Sequence, residues 1–158
     1  GVIHTAQSEA IKEPFIPLKK IIEKNQIDSS FFFTQEQIEK QMYLKGSKRI
    51  ERVKPNGDPY FYSEGSMAFP DDLNAPGRTM LTSEGTINRS SHIIEDFKTK
   101  KLRRITTIEA ERLNHFPDNW TNTMQTRHRY FMMGNALVTL LVKKISITLN
   151  QIIEKEPN

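Results

Sequence analysis

Arg103-Arg104-Ile105-Thr106-Thr107-Ile108-Glu109-Ala110-Glu111-Arg112-Leu113-Asn114-His115-Phe116-Pro117-Asp118-Asn119-Trp120 is the stretch from which the rest of the chain can be read. Thr106 followed three residues later by Glu109 is a capping box: the hydroxyl accepts from a first-turn N–H while the carboxylate reaches back to the cap N–H. It predicts a helix from about Thr107 to Asn114, closed by Pro117. Fourteen positions beyond Trp120 stands Gly134-Asn135-Ala136-Leu137-Val138. From Asn135 to about Glu154, Ala136, Leu137, Leu140, Leu141, Ile145, Leu149 and Ile152 recur at three- and four-residue steps, which predicts a long amphipathic helix. Gly134 permits a close approach there, Asn135 is a good N-cap, and first-turn N–H groups point outward. Local chemistry leaves two readings of Asn135 open, a plain helix cap or a ligand-facing edge.

Outward from this stretch the text is less regular. Pro17 to Asn25 carries Leu18, Ile21 and Ile22 at helical spacing behind a proline, which predicts a short helix. Thr34 and Gln37 form a second capping box ahead of Ile38, Met42 and Tyr43, predicting a helix to about Leu44 that ends at Gly46. Between Ser47 and Phe97, Pro55-Asn56-Gly57-Asp58-Pro59, Pro70-Asp71-Asp72 and Ala75-Pro76-Gly77 punctuate short runs rich in Tyr, Phe, Ile and Thr, a pattern of irregular β structure with long loops. The resulting division is 1–46, a helical entry; 47–102, a β-rich domain; and 103–158, the two motifs with the last helix. The fold class is α+β.

The 158 residues carry 23 Lys and Arg against 19 Asp and Glu, a formal charge of +4 with pI near 9.3. That is mild support for a polyanionic partner, because cations that neutralise phosphates release condensed counterions. Hydrophobic content of 36% and charged content of 27% are low and high for a compact globule, which points to surface that is solvated or covered by a partner. No cysteine is present, which excludes disulfides and thiolate metal sites. No apolar run is read as approaching the roughly 20 residues of a membrane span, and no signal peptide is read either, so the expectation is a cytoplasmic protein without membrane contact. The start at Gly1, without Met, is expected of a processed or excised piece.

The first motif closely resembles the R-x-L-T-x-x-E-x-x-R-L-Q-G-F-P-D block of DNA cytosine-5 methyltransferases, and Gly134–Val138 resembles their terminal G-N-A/S-V block. Order and spacing match, and Pro76 to Ile94 is similar to the part of the target-recognition domain preceding the first block. Asn114-His115 departs from the usual Gln-Gly, and Leu137 stands for the usual Val. The resemblance implies a small β-rich target-recognition domain, with flanking helices and a C-terminal helix that packs on a Rossmann-like catalytic domain missing from this chain. Such enzymes use S-adenosylmethionine, a Pro-Cys nucleophile and a flipped-out cytosine. None of the residues of that chemistry is here, so no catalytic residue is assigned and the chain alone is expected to be inactive.

The resemblance further implies that Asn135, Ala136 and Leu137 line the cofactor pocket against the missing domain, and that Arg103 and Glu109 orient the recognition domain. Double-stranded DNA is the implied substrate, and a catalytic domain or subunit carrying Pro-Cys the implied partner. Candidate DNA contacts fall in two stretches read as loops, Tyr60 to Ser66 with Tyr62, Ser63 and Glu64, and Thr82 to Ser91 with Thr82, Ser83, Asn88, Arg89 and Ser90. Arg78 and Thr79 introduce the second. Hydroxyls, amides and guanidinium groups are what groove readout requires, although a plain solvated loop has the same composition. Lys98 to Arg104 is a basic run, and Lys100 and Lys101 are its candidate phosphate contacts. Phe116, Trp120, Tyr130 and Phe131 read as core, and His115 and His128 lack metal-spaced partners. The function implied is target recognition and completion of the cofactor site in a restriction-modification methyltransferase, as a fragment or as the smaller subunit of a split enzyme. The alternative is a non-catalytic DNA-binding module or an inactive relic.

Overall fold

The computed structural model describes residues 1–10 and 12–155; the expected end of the last unit at 158 lies outside them. Helix α1 spans Gln35–Lys45, hairpin β1–β2 pairs Lys48–Val53 with Pro59–Glu64, and hairpin β3–β4 pairs Ile93–Glu95 with Leu102–Arg104. Helices α2 (Thr107–Leu113), α3 (Thr126–Asn135) and α4 (Thr139–Ile153) follow. Both hairpins are antiparallel and form separate two-stranded sheets. The α+β class holds, and the boundary drawn at 102/103 falls inside β4.

Both capping boxes form as expected. Thr34 Oγ1 accepts from the Gln37 N–H while Gln37 Oε1 accepts from the Thr34 N–H, and Thr106 and Glu109 do the same at the start of α2. The predicted helix over Pro17–Asn25 is instead a single 3-10 turn at Leu18–Lys20. Its backbone pairs outward: the Leu18 and Lys19 N–H groups donate to Ala75 O and Leu73 O, and Pro17 bridges Pro76. First-turn N–H groups have no partner inside a helix; the helix stops because the Glu23 N–H, which would reach back to Lys19, donates to Glu109 Oε1, and the Ile21 carbonyl accepts from Arg112. That turn delivers Leu18, Ile21 and Ile22 into one core with Met80, Ile94, Ile105, Ala110, Tyr130 and Met133.

The C-terminal helix is two helices. Ala136 (φ −74°, ψ 145°) and Val138 (φ −62°, ψ 116°) are extended, and Asn114 at the end of α2 holds the break. Its Nδ2 donates to Met133 O at 2.6 Å and its carbonyl accepts from the Thr139 N–H at 3.0 Å. The expectation that no apolar run is long enough to span a membrane is corrected by length and composition: Thr126–Ile153 contains an 18-residue window of mean hydropathy 1.5. The break at 136–138 divides that span into helices of 10 and 15 residues, each shorter than the roughly 20 a bilayer requires.

Lys45, the last residue of α1, is buried and donates to Arg89 O (3.1 Å) and Ser91 O (2.7 Å), while its own carbonyl accepts from the Met67 N–H. Burial, then the neighbouring Arg78 charge, pushes its ammonium down to about 8. A lysine depressed in the fold is penalised while charged, so that penalty is complete below pH 8 and is relieved as pH rises towards its ordinary value of 10.5. Denaturation midpoints measured from pH 7 to 10 should therefore rise in the wild type relative to Lys45→Met, by at most about 1.4 kcal/mol per pH unit. Parallel curves for the two proteins would show that Lys45 titrates normally.

Candidate recognition surface and cofactor edge

The two DNA-contact candidates read as loops fold differently. Tyr60 to Glu64 is strand β2, not a loop, because Pro55–Pro59 makes the turn of a hairpin, with Gly57 at φ +92° and its N–H donating to Lys54 O. The register pairs Ile50 with Tyr62, Arg52 with Tyr60 and Glu51 with Phe61. Neither face of this ribbon is covered, and no residue in either strand is buried. Ser63 is exposed, and the Tyr62 hydroxyl donates to Glu64 Oε1 at 2.5 Å. That bond, followed by the charges of Arg89 and Lys48, holds the Glu64 carboxyl below its usual range and raises the Tyr62 phenol.

Segment 82–91 is a run of turns around a buried polar centre. Glu84 accepts from the His92 N–H (2.6 Å) and lies 3.1 Å from His92 Nδ1, while His92 Nε2 accepts from the Arg78 N–H. This network assigns the proton to Nδ1. Both side chains are fully buried, and neither was singled out from the sequence. Arg78 is turned inward, to Asp71 at 2.8 Å and to the carbonyls of Ser90 and Ser91. Arg89 donates to the carbonyls of Leu44 (2.6 Å), Gly46 (3.1 Å) and Gly65, and pairs with Glu64. Asn88 Oδ1 accepts from the Ser90 N–H, a local turn bond. Thr79 and Thr82 are exposed, whereas Ser83 and Ser90 are half-buried. Lys100 and Lys101 are exposed at the β3–β4 turn, with Lys100 in the left-handed region at φ 59° and its ammonium 3.6 Å from Glu95.

Arg103 is fully buried. It grips Glu109 with two bonds, Nη1 to Oε2 at 2.7 Å and Nη2 to Oε1 at 2.8 Å, and its Nε donates to Asp96 at 3.0 Å. Glu109 also accepts from the Glu23 N–H, and the Thr106 hydroxyl donates to Glu23. The pair joins β4, α2 and the segment after the first turn within this chain. Burial opposes ionisation of Asp96, but bonds from Thr99 and Arg103 outweigh it and hold the carboxyl low. Further along the motif, Glu111 accepts from the Asn119 and Thr121 N–H groups and pairs with Arg129, while Arg112 grips Asp118 bidentately. His115, standing where the family pattern has Gly, keeps a left-handed backbone at φ 60°, so the turn before Phe116 survives the substitution.

Asn135 ends α3 instead of opening the last helix, which corrects its reading as an N-cap; its amide donates back to Phe131 O. Gly134 does serve a close approach, but to the chain itself: a Cβ there would collide with the backbone of Leu81 and Thr82. The ring of Tyr130 lies against Gly85 in the same way, and its hydroxyl donates to Ile105 O. Helix α3, missed in the sequence, thus seats the start of the 82–91 segment on one side and leads into Asn135–Leu137 on the other. Its only apolar contacts inward are Tyr130 and Met133, too few for a periodic signal. Trp120 and Phe131, expected in the core, are 64% and 49% exposed. Trp120 tilts against Phe116 at the rim of an open groove of about 260 Å³ that Met132, Asn135 and Ala136 also line. Leu137 is 71% exposed. The groove is apolar, with one exposed amide beside a short extended backbone, and is open to solvent.

Helix α4 projects with no buried residue. Leu140 faces its own chain, lining a groove with Ile16, Leu18 and Ile21, whereas Leu141, Ile145, Leu149 and Ile152 form an outward stripe. Among the described residues no group of three or more His, Asp or Glu could hold a metal.

The family pattern described as C-5 cytosine-specific DNA methylase matches residues 4–151. The type II methyltransferase M.Sau3AI of Staphylococcus aureus is 46% identical over 96% of this chain, which spans 36% of that relative's length. Among solved structures, the Entamoeba histolytica methyltransferase EhMeth superposes with a TM-score of 0.61 at 15% identity, over 98% of this chain and 46% of the other. The S. pombe Dnmt2 methyltransferase does so at 0.56 and 16%, over 90% and 44%. These two likenesses establish the fold. With residues 4–151 matched, the chain belongs to the C-5 cytosine-specific DNA methylase family.

Proposed function

We propose that this chain is the target-recognition and cofactor-edge part of a DNA (cytosine-5)-methyltransferase of restriction-modification type, as the C-terminal portion or the smaller subunit of a split enzyme. It acts on double-stranded DNA in the cytoplasm, joined to a catalytic domain or subunit that carries the Pro-Cys nucleophile. The observation that carries this reading is a family member without a single cysteine, whose last helix turns an uncovered apolar stripe outward. S-adenosylmethionine, when bound, supplies the methyl group, and most of its site lies outside this chain. Asn135, Ala136 and Leu137 hold its outer edge, with the 136–138 break exposing backbone there. Arg103 and Glu109 set the angle between the recognition hairpins and α2. Tyr62, Ser63, Thr79, Thr82 and Ser83 stand among the DNA-facing groups, and Lys100 and Lys101 face phosphates.

Transfer of a labelled methyl group to duplex DNA tests the reading. The chain alone should transfer none, and mixing it with the catalytic part should restore transfer. Transfer by the chain alone overturns the proposal, as does an inactive mixture whose catalytic part binds cofactor normally.

A further inference from the structure

We infer that the β1–β2 ribbon is the element of this chain that enters the major groove of DNA, and that Arg89 is the residue that positions it. The inference rests on the DNA-recognition reading above and assigns base readout to residues 48–64, with Thr82 and Ser83 as DNA-facing groups beside them. Both faces of the ribbon are open to solvent, yet it presents Tyr60 and Phe61 there. A two-stranded ribbon without a covered face is marginal by itself. Aromatic groups left open on an uncovered ribbon suit a partner surface, and the major groove, about 12 Å wide, admits a two-stranded ribbon.

The side chains specify the partner. Arg49 lies over the Phe61 ring and Arg52 over the Tyr62 ring, each 4.1 Å from the centroid, on opposite faces of the ribbon. Stacking holds each guanidinium plane while leaving its N–H fork free, and neither makes a hydrogen bond or ion pair among the described residues. By contrast Arg78, Arg89, Arg103, Arg104, Arg112 and Arg129 are all bonded to acceptors within the chain, and Arg127, also unbonded among the described residues, lies over no ring. A fork held in place without an acceptor matches the paired acceptors on a guanine edge. Lys54 adds a cation beside the turn, and Glu51 an acceptor, while Glu64 is neutralised at the root by Lys48 and Arg89.

The root is rigid. Leu44 and Gly46 precede β1 and Gly65 follows β2, so the one Arg89 guanidinium ties down both ends of the ribbon where it leaves the body. An arginine spent in this way cannot also read a base. It acts through Arg49 and Arg52.

The experiment uses the complete methyltransferase, this chain together with the catalytic part, and the duplex it methylates. Anisotropy titrations on that duplex and on its single-base variants, at two salt concentrations, give discrimination and salt slope separately. Arg49→Ala and Arg52→Ala should each lose roughly ten- to hundredfold discrimination at one base pair, with an unchanged thermal midpoint because neither touches the core. Arg89→Ala should lose discrimination at both positions together while keeping low-salt binding to unrelated DNA, and Arg89→Lys, which restores charge but not the fork, should not rescue it. Wild-type discrimination in the Arg49 and Arg52 variants overturns the inference, as does a loss uniform across sequences with a reduced salt slope, the mark of a phosphate clamp. A wild-type enzyme that binds no duplex at all overturns the underlying reading, and this inference with it.

Discussion

Replacing Arg103 with methionine will lower the stability of this chain by about 3–5 kcal/mol, the cost of leaving one side of a buried ion pair without its partner. The guanidinium is fully buried between Glu109, also fully buried, and Asp96, so the variant leaves two carboxylates facing an apolar side chain. Glu109 would keep only the Thr106 and Glu23 N–H groups as donors. Urea denaturation should show the loss in the midpoint with an unchanged slope. The Arg103→Met, Glu109→Gln double variant should recover part of it, because the amide removes one of the uncompensated charges. A loss below about 1 kcal/mol would show that water reaches the cluster and solvates it. The effect also has a sign in pH. Asp96 is held below its ordinary value of 3.8, so its contribution is present above that value and disappears as pH falls through the lower, folded one.

Local rules written in adjacent residues could be read from the sequence; contacts made across the chain could not. Thr34 with Gln37 and Thr106 with Glu109 announce their helices because both partners of each capping box lie within four residues, and both boxes form. The R-x-L-T block was legible as a unit for the same reason: Arg103 to Glu109 and Arg112 to Asp118 are six residues apart. The turn at Leu18 does not continue as the expected helix because the Glu23 N–H and the Ile21 carbonyl are taken by Glu109 and Arg112, more than eighty residues away. Helix α3 leaves no signal in the sequence, and its last residue, Asn135, reads as the start of α4, because the break at Ala136–Val138 is imposed by Asn114, twenty-odd residues upstream. Arg78 and Arg89 have the composition of base readers. Only the fold brings them against the carbonyls of Ser90 and Ser91, or of Leu44, Gly46 and Gly65. The free guanidiniums of Arg49 and Arg52 had a signal in the sequence, a basic strand and an aromatic strand joined by Pro-Asn-Gly-Asp-Pro, but an Asn-Gly turn flanked by proline was read as loop punctuation.

Helix α4 gives the second large effect, because its outward stripe has nothing to do inside this chain. Leu141, Ile145, Leu149 and Ile152 repeat at steps of four and three and are about half exposed, and the last three line a groove on the helix surface with Lys144 and Thr148. Leu140 lies off that stripe, against Ile21 and Leu18, and is the wrong residue with which to test docking. Placing Asp at Leu141 and Ile145 together should remove about 3–6 kcal/mol of apolar burial against the catalytic part, before the cost of desolvating two carboxylates is added. That is at least a hundredfold in Kd. The fold itself should not change, since these side chains touch no core residue, and thermal unfolding of the isolated chain checks this. Calorimetry of the chain against the catalytic part should show heat for the wild type and none for the double variant. Sedimentation of the wild-type chain alone should show self-association through the uncovered stripe, absent in the double variant. Unchanged binding would place the catalytic contact elsewhere, with the groove around Phe116, Trp120 and Met132 as the next surface to mutate. A lowered thermal midpoint would mean instead that α4 folds back onto its own chain in solution, and the stripe would no longer be a docking surface.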